Sequence, residues 1–227
     1  MVKLLVTKEL AVTEILQLSE SFPDIHCDSV PFISIKLLRP DYPSLYPYKV
    51  FTSQNAVKSI STNITVMNEV VHSRCIAVGN KTAEALDHIG CRDVLVPSLQ
   101  SSKGVIELLK SYPKINGISY FCGKQRMPYI EAFLKDHDYS FNLVEVYETI
   151  DVKVDLDIQQ YDALVFASPS AVQSFFAQYD VSHPCFAIGP STANELKHYT
   201  REVLVSSTPS LYELFHTVSD FYRENEI

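Results

Sequence analysis

Val50-Phe51-Thr52-Ser53-Gln54-Asn55-Ala56-Val57 returns downstream as Val165-Phe166-Ala167-Ser168-Pro169-Ser170-Ala171-Val172. Each copy is a short β-branched and aromatic run that breaks at a Ser and continues with helix-like spacing. Cys75-Ile76-Ala77-Val78-Gly79-Asn80-Lys81-Thr82-Ala83 returns in the same way as Cys185-Phe186-Ala187-Ile188-Gly189-Pro190-Ser191-Thr192-Ala193, and Val94-Leu95-Val96 as Val203-Leu204-Val205. The order is kept, and the second copy is slightly more compact. A pair of copies is too few for a solenoid. Two similar α/β modules account for the repeat better than one continuous sheet.

The flanking sequence keeps the alternation going. Lys3–Thr7 reads as a buried strand and Glu9–Phe22 as a helix whose apolar side is Leu10, Ile15, Leu16 and Leu18. Further strands are expected at Pro31–Leu38, Val50–Ser53, Cys75–Val78, Val94–Val96, Ile118–Cys122, Leu143–Ile150, Ala163–Ala167, Cys185–Ile188 and Val203–Val205, most of them leading into a helix. Strand–helix alternation of this kind builds parallel sheets covered by helices on both faces. The second copy begins only near Asp162 and lacks one strand–helix unit, which Lys3–Phe22 can supply. One domain is therefore expected to be discontinuous, 1–32 plus 152–227, and the other continuous, 41–144. The chain crosses between them at 33–40 and 145–151. In the crossings Phe32, Ser34 and Lys36 share one side of a strand, as do Leu143, Glu145 and Tyr147. A paired, two-stranded linker is expected.

Apolar residues make up 46% of the 227 and charged residues 20%, the balance of a folded globular chain. The apolar run Leu4-Leu5-Val6 is cut short by Lys8 and Glu9, so no signal peptide is read. No stretch approaches the length of a membrane span. A cytoplasmic protein is expected, with no membrane partner. The formal charge of −8 and the lack of a basic run argue against a nucleic-acid partner. Five cysteines without a CxxC pair, and seven histidines without HxH or HExxH spacing, give no disulfide framework and no metal site.

In open α/β sheets ligands bind beyond the carboxyl ends of strands, beside helix N-termini whose free N–H groups attract anions. Here those positions are crowded with hydroxyls and amides: Thr52, Ser53 and Asn55, then Thr82, then Ser101 and Ser102, then Ser168 and Ser170, then Ser191 and Thr192. Any one of them is most simply an N-cap. Their number, in two modules that could face one cleft, favours a small anionic ligand. Gly79 and Gly189 have neither dinucleotide nor Walker spacing. Gly123-Lys124-Gln125-Arg126 brings two cations to a strand end, where solvated surface charge is the plain reading and a carboxylate contact the sharper one. Tyr147, in the second crossing, is explained by strand packing. A hinge phenol is also placed to donate a hydrogen bond or a proton. GxSxG is absent, which leaves a Ser-His-Asp hydrolase without support.

Taken in order, Phe51-Thr52-Ser53-Gln54-Asn55-Ala56-Val57, Val78-Gly79-Asn80-Lys81-Thr82-Ala83, Val144-Glu145-Val146-Tyr147, Ser168-Pro169-Ser170-Ala171-Val172 and Gly189-Pro190-Ser191-Thr192-Ala193 resemble the uroporphyrinogen-III synthase family over nearly the whole chain. Thr7-Lys8 stands where that family usually carries Thr-Arg. The resemblance implies an α/β fold of two similar parallel-sheet, flavodoxin-like domains joined by a two-stranded linker. It implies a monomeric lyase with no metal or organic cofactor. Its substrate would be hydroxymethylbilane, a linear tetrapyrrole polycarboxylate, closed with inversion of the terminal pyrrole and loss of water. Tyr147 would be the catalytic residue. Thr7, Lys8, Thr52, Ser53, Asn55, Thr82, Ser101, Ser102, Lys124, Ser168, Ser170, Ser191 and Thr192 would hold the substrate. The competing readings are a non-catalytic two-domain protein binding a small anion or sugar, and a nucleotide- or phosphosugar-using enzyme.

Overall fold

The computed structural model describes residues 1–112 and 116–225. In chain order it has β1 (Val2–Val6), α1 (Val12–Ser21), β2 (Ile25–Ser29), β3 (Ile33–Leu37), β4 (Tyr48–Phe51), α2 (Gln54–Ile60), α3 (Ile64–Val71), β5 (Arg74–Ala77), α4 (Asn80–His88), β6 (Val94–Leu95) and α5 (Ser102–Lys110). There follow β7 (Ile118–Gly123), α6 (Tyr129–Asp136), β8 (Phe141–Asp151), β9 (Ala163–Phe166), α7 (Pro169–Phe176), β10 (Cys185–Ala187), α8 (Pro190–Leu196), β11 (Val203–Val205) and α9 (Leu211–Glu224). The chain divides into two units, Met1–Ser34 with Ile150–Ile227, and Ile35–Thr149. Both cuts fall inside strands, β3 and β8.

The first unit carries a parallel sheet in the order β2-β1-β9-β10-β11. Its central strands are buried on both faces, as parallel strands under two helical layers must be. Successive residues of β9 feed opposite cores: Ala163 and Val165 pack with Leu4, Val6, Leu214 and Phe215, whereas Leu164 and Phe166 pack with Leu5, Val172, Phe175 and Leu196.

The second unit carries the order β3-β8-β7-β4-β5-β6. Strands β4 to β8 are parallel. Leu38 N–H donates to Val146 O and Val152 N–H to Phe32 O, so the β3 and β8 crossings run antiparallel. Phe51 and Phe121, on neighbouring strands, stack at 4.8 Å in one core, and Val50 and Tyr120 turn to the other.

The repeat seen in the sequence becomes a repeat of topology. Pairing β9 with β4, β10 with β5 and β11 with β6 leaves β1-α1-β2 in the position held by β7-α6-β8. In the first unit's own chain order the sheet reads 2-1-3-4-5, the flavodoxin arrangement. The second unit has the same spatial order, entered at a different strand.

Three local expectations differ. Strand β2, absent from the sequence reading, lies at the sheet edge. Only Ile25 and Cys27 are apolar there, because an edge strand needs little core. Helix α1 starts at Val12 and not near Glu9, because Ser29 Oγ accepts the Leu10 N–H at 2.8 Å and donates to Lys8 O at 2.9 Å, which staples the chain in a non-helical path. The segment after β4 is two helices. Asn63 Oδ1 accepts from the Thr65 and Val66 N–H groups and starts α3 afresh.

Candidate active site

Strand β8 carries a bulge that decides where Tyr147 points. Its register against β7 runs Phe121 to Val144 and Cys122 to Glu145, then Gly123 to Tyr147, with one residue extra on β8. Perfect alternation would put Tyr147 on the side of Leu143. The bulge instead sends Val146 and Tyr147 to the same core, that of Phe51 and Phe121, while Leu143 packs in the other. The shared side expected for Leu143 and Tyr147 is thus corrected by one inserted residue.

The turned ring lies against Gly123 and beside Ser53 at the carboxyl end of β4. Burial pushes the Tyr147 phenol above its ordinary value, and the Ser53 hydroxyl next to it works against that rise. Two residues from the sequence argument, Tyr147 and Ser53, are therefore neighbours. Thr52 approaches a third hydroxyl, with Oγ1 3.5 Å from Tyr120 Oη. Burial lifts the Tyr120 phenol to about 12. Burial thus favours the neutral form of both phenols, which can donate a hydrogen bond or a proton.

Three of the predicted hydroxyls cap helices. Ser53 Oγ accepts from Asn55 N–H at 3.1 Å, Ser101 Oγ from Gly104 N–H at 3.3 Å, and Ser168 Oγ from Ala171 N–H at 3.2 Å. A capping hydroxyl spends a lone pair on the helix and keeps its own proton to donate outward. The structural and ligand roles are therefore compatible at one atom. Ser102 and Ser170 are half-buried in the first turns of α5 and α7, and Asn55 in that of α2. Thr82 and Thr192 are buried in the first turns of α4 and α8, whose caps are Gly79 and Gly189, and Ser191 is exposed.

Other predicted residues are committed elsewhere. Thr7 is fully buried and its hydroxyl donates to Val165 O at 3.0 Å. Lys8 pairs with Glu14 at 3.6 Å, and Lys124 with Glu148 at 2.8 Å. Glu148 also binds Lys36 at 2.9 Å, and the two lysines, Lys124 foremost, pull its carboxyl down to about 2. Sequence reasoning missed Gln100, whose Oε1 accepts the Asn80 N–H at 3.0 Å and occupies the first turn of α4. A Gln in a loop carries no signal for such a role. A 740 Å³ depression lined by Asp180, Tyr199, Arg201 and Glu202 lies at the amino ends of β10 and β11, away from all these residues. Among the described residues no group of His, Cys, Asp and Glu could hold a metal ion, and no helix is long and apolar enough to cross a membrane.

A family model described as uroporphyrinogen-III synthase HemD matches residues 28–216. No curated protein matches the chain. Among solved structures, uroporphyrinogen-III synthetase from Helicobacter pylori is similar with a TM-score of 0.75 at 17% identity, over 97% of this chain and 100% of that one. A mutant uroporphyrinogen III synthase from the extremely thermophilic bacterium Thermus thermophilus scores 0.66 at 16% identity, over 98% of each. At these identities the likeness speaks for the fold, an α/β chain of two similar sheet-containing domains. The family match spans well over half of the sequence, and on it the chain belongs to the uroporphyrinogen-III synthase HemD family.

Proposed function

We propose that the protein is a uroporphyrinogen-III synthase, a lyase that closes hydroxymethylbilane to uroporphyrinogen III with inversion of the terminal ring and loss of water. The family match carries this reading, and the nearness of Ser53 to the Tyr147 phenol supports it. The substrate is reactive on its own, so the protein's main task is to fix its conformation. O–H and N–H donors at the helix ends take the carboxylates. At about 1 kcal/mol for each of eight such contacts, the sum reaches roughly −8 kcal/mol, the scale of a micromolar complex. Local donors of this kind bind a polyanion despite a net charge of −8.

Tyr147 is the proton donor in this reading. Its phenol gives a proton to the departing hydroxyl, which leaves as water, and the remaining azafulvene is attacked by the substituted carbon of the terminal pyrrole. The spiro intermediate then fragments and recloses with that ring inverted. Strands β3 and β8 serve as the two-stranded linker between domains. The protein works as a cytoplasmic monomer without cofactor.

The test is isomer analysis after mixing the protein with freshly prepared hydroxymethylbilane, which closes unaided to the type I isomer. Type III product in proportion to protein supports the reading. Type I alone, with folded protein, refutes it and favours a non-catalytic binding protein. Tyr147→Phe is expected to lower the rate without abolishing it, since positioning survives. An unchanged rate would take Tyr147 out of the mechanism.

A further inference from the structure

We infer that Gly123 is a positioning residue for Tyr147, and that the loop it opens, Gly123–Arg126, is a clamp that fixes the direction of the phenol. The inference rests on the proposed role of Tyr147.

The glycine has no conformational reason to be there. Among the described residues only Gly90 and Gly117 are glycines with a left-handed φ, so Gly123 has a backbone that alanine can adopt. What demands glycine is space. A Cβ at this position would stand 2.6 Å from Cε2 and Cζ of Tyr147 and 3.0 Å from its hydroxyl oxygen. The first contact is with the ring carbons, far inside van der Waals separation, so the ring must move for a Cβ to fit. The phenol therefore lies directly on the Gly123 backbone, and its hydroxyl sits where it does because no side chain intervenes.

The next three residues grip β8 on both sides of Tyr147. Lys124 N–H donates to Tyr147 O at 3.0 Å. Lys124 Nζ binds the Glu148 carboxylate at 2.8 Å. The Gln125 amide imitates a neighbouring strand, donating to Thr149 O at 3.1 Å and accepting from Thr149 N–H at 3.0 Å. Arg126 Nη1 binds Glu145 at 2.6 Å, just before the bulge. A bulge left free would relax toward regular alternation and turn Tyr147 out of its core. Contacts at Glu145, Tyr147, Glu148 and Thr149 prevent that slip. The two cations thus have a use inside the chain, beyond surface charge.

Gly123→Ala tests the inference. Displacing the ring by about 1 Å is expected to lower kcat about 100-fold, with KM changed by less than about two-fold because the carboxylate donors are untouched. Combined with Tyr147→Phe it should add less than about two-fold, since the hydroxyl it misplaces is already gone. A folded Gly123→Ala protein with full kcat, or losses that multiply in the double variant, would overturn the inference. Gln125→Ala, at an exposed residue, guards against failure of the first variant to fold. Its kcat should drop several-fold at constant KM, and an unchanged kcat counts against the clamp. A carbon-13 Tyr Cζ titration, with the signal assigned by its loss in Tyr147→Phe, reads the ring without any turnover. The Tyr147 phenol should move toward its ordinary value in Gly123→Ala, and a titration identical to that of the unaltered protein refutes the packing. Were the unaltered protein to yield only type I isomer, the proposed function would fall while this titration still judged the contact.

Discussion

Ser168 offers a way to separate a cap from a ligand. Its Oγ accepts the Ala171 N–H at 3.2 Å and starts α7, with Pro169 supplying the first turn. Ser168→Ala removes the acceptor and leaves a first-turn N–H without its partner, which should lower stability by about 1 kcal/mol. Asp caps as well as Ser, so Ser168→Asp should leave stability within a few tenths of a kcal/mol. For a substrate carboxylate the ranking reverses. Alanine removes one O–H donor, worth about 1 kcal/mol, or roughly a five-fold rise in KM. Aspartate removes the same donor, again about 1 kcal/mol. It also sets a second negative charge near 4 Å, which adds about 1 kcal/mol of repulsion in water. The sum is about 2 kcal/mol, near a 30-fold rise in KM, and the repulsive part should shrink as salt is raised. Urea unfolding and isomer-resolved kinetics on hydroxymethylbilane measure the two effects separately. A stable Ser168→Asp protein with KM within two-fold of the parent would show that no carboxylate lands at this end of α7. An Asp variant as unstable as the Ala variant would refute the capping argument itself.

Acid stability should depend on Glu148. Its carboxyl is held at about 2, below the ordinary value near 4.3, so its contribution is complete above the ordinary value and is lost as pH falls toward 2. Glu148→Gln should flatten the fall of the urea midpoint in that window, and an identical acid limb would mean that Lys36 and Lys124 stabilise nothing there. Phe51 is fully buried and stacks on Phe121, so Phe51→Ala should lower unfolding free energy by about 3–5 kcal/mol, read from the urea midpoint. A loss under 1 kcal/mol would show that the core closes over the gap.

How much of this was written in the sequence depends on which force placed each residue. The central strands were legible because burial on both faces leaves uninterrupted apolar runs: Leu4-Leu5-Val6, Val50-Phe51 and Ala163 to Phe166 are all buried. The likeness of the two sheets was legible too, since the Val50 and Val165 repeats mark equivalent strands, β4 and β9. Strand β2 was not, because Ile25-His26-Cys27-Asp28-Ser29 owes its place to pairing with β1, and backbone pairing leaves no hydrophobic signature. The start of α1 was hidden for a related reason: one hydroxyl, Ser29, sets it from across the sheet.

The candidate site divides along the same line. A capping hydroxyl is a local device, and Ser53, Ser101 and Ser168 could be picked out because each stands between a strand and a helix. Thr7 looks identical in sequence yet gives its proton to Val165 O, a partner known only once β1 and β9 are paired. Tyr147 is the sharper case. Its presence in a strand could be read, but its direction depends on a one-residue bulge, and a bulge is a disagreement between two strands that neither strand's sequence records. What the sequence does hold is the permission for it. Gly123 leaves room on β7 for a ring that should have faced the other way, and Lys124, Gln125 and Arg126 hold the strand in that state. A glycine at a strand end opposite a tyrosine, followed by side chains matched to the carboxylates flanking that tyrosine, is therefore a pattern for a re-aimed phenol. It has to be read across two strands at once.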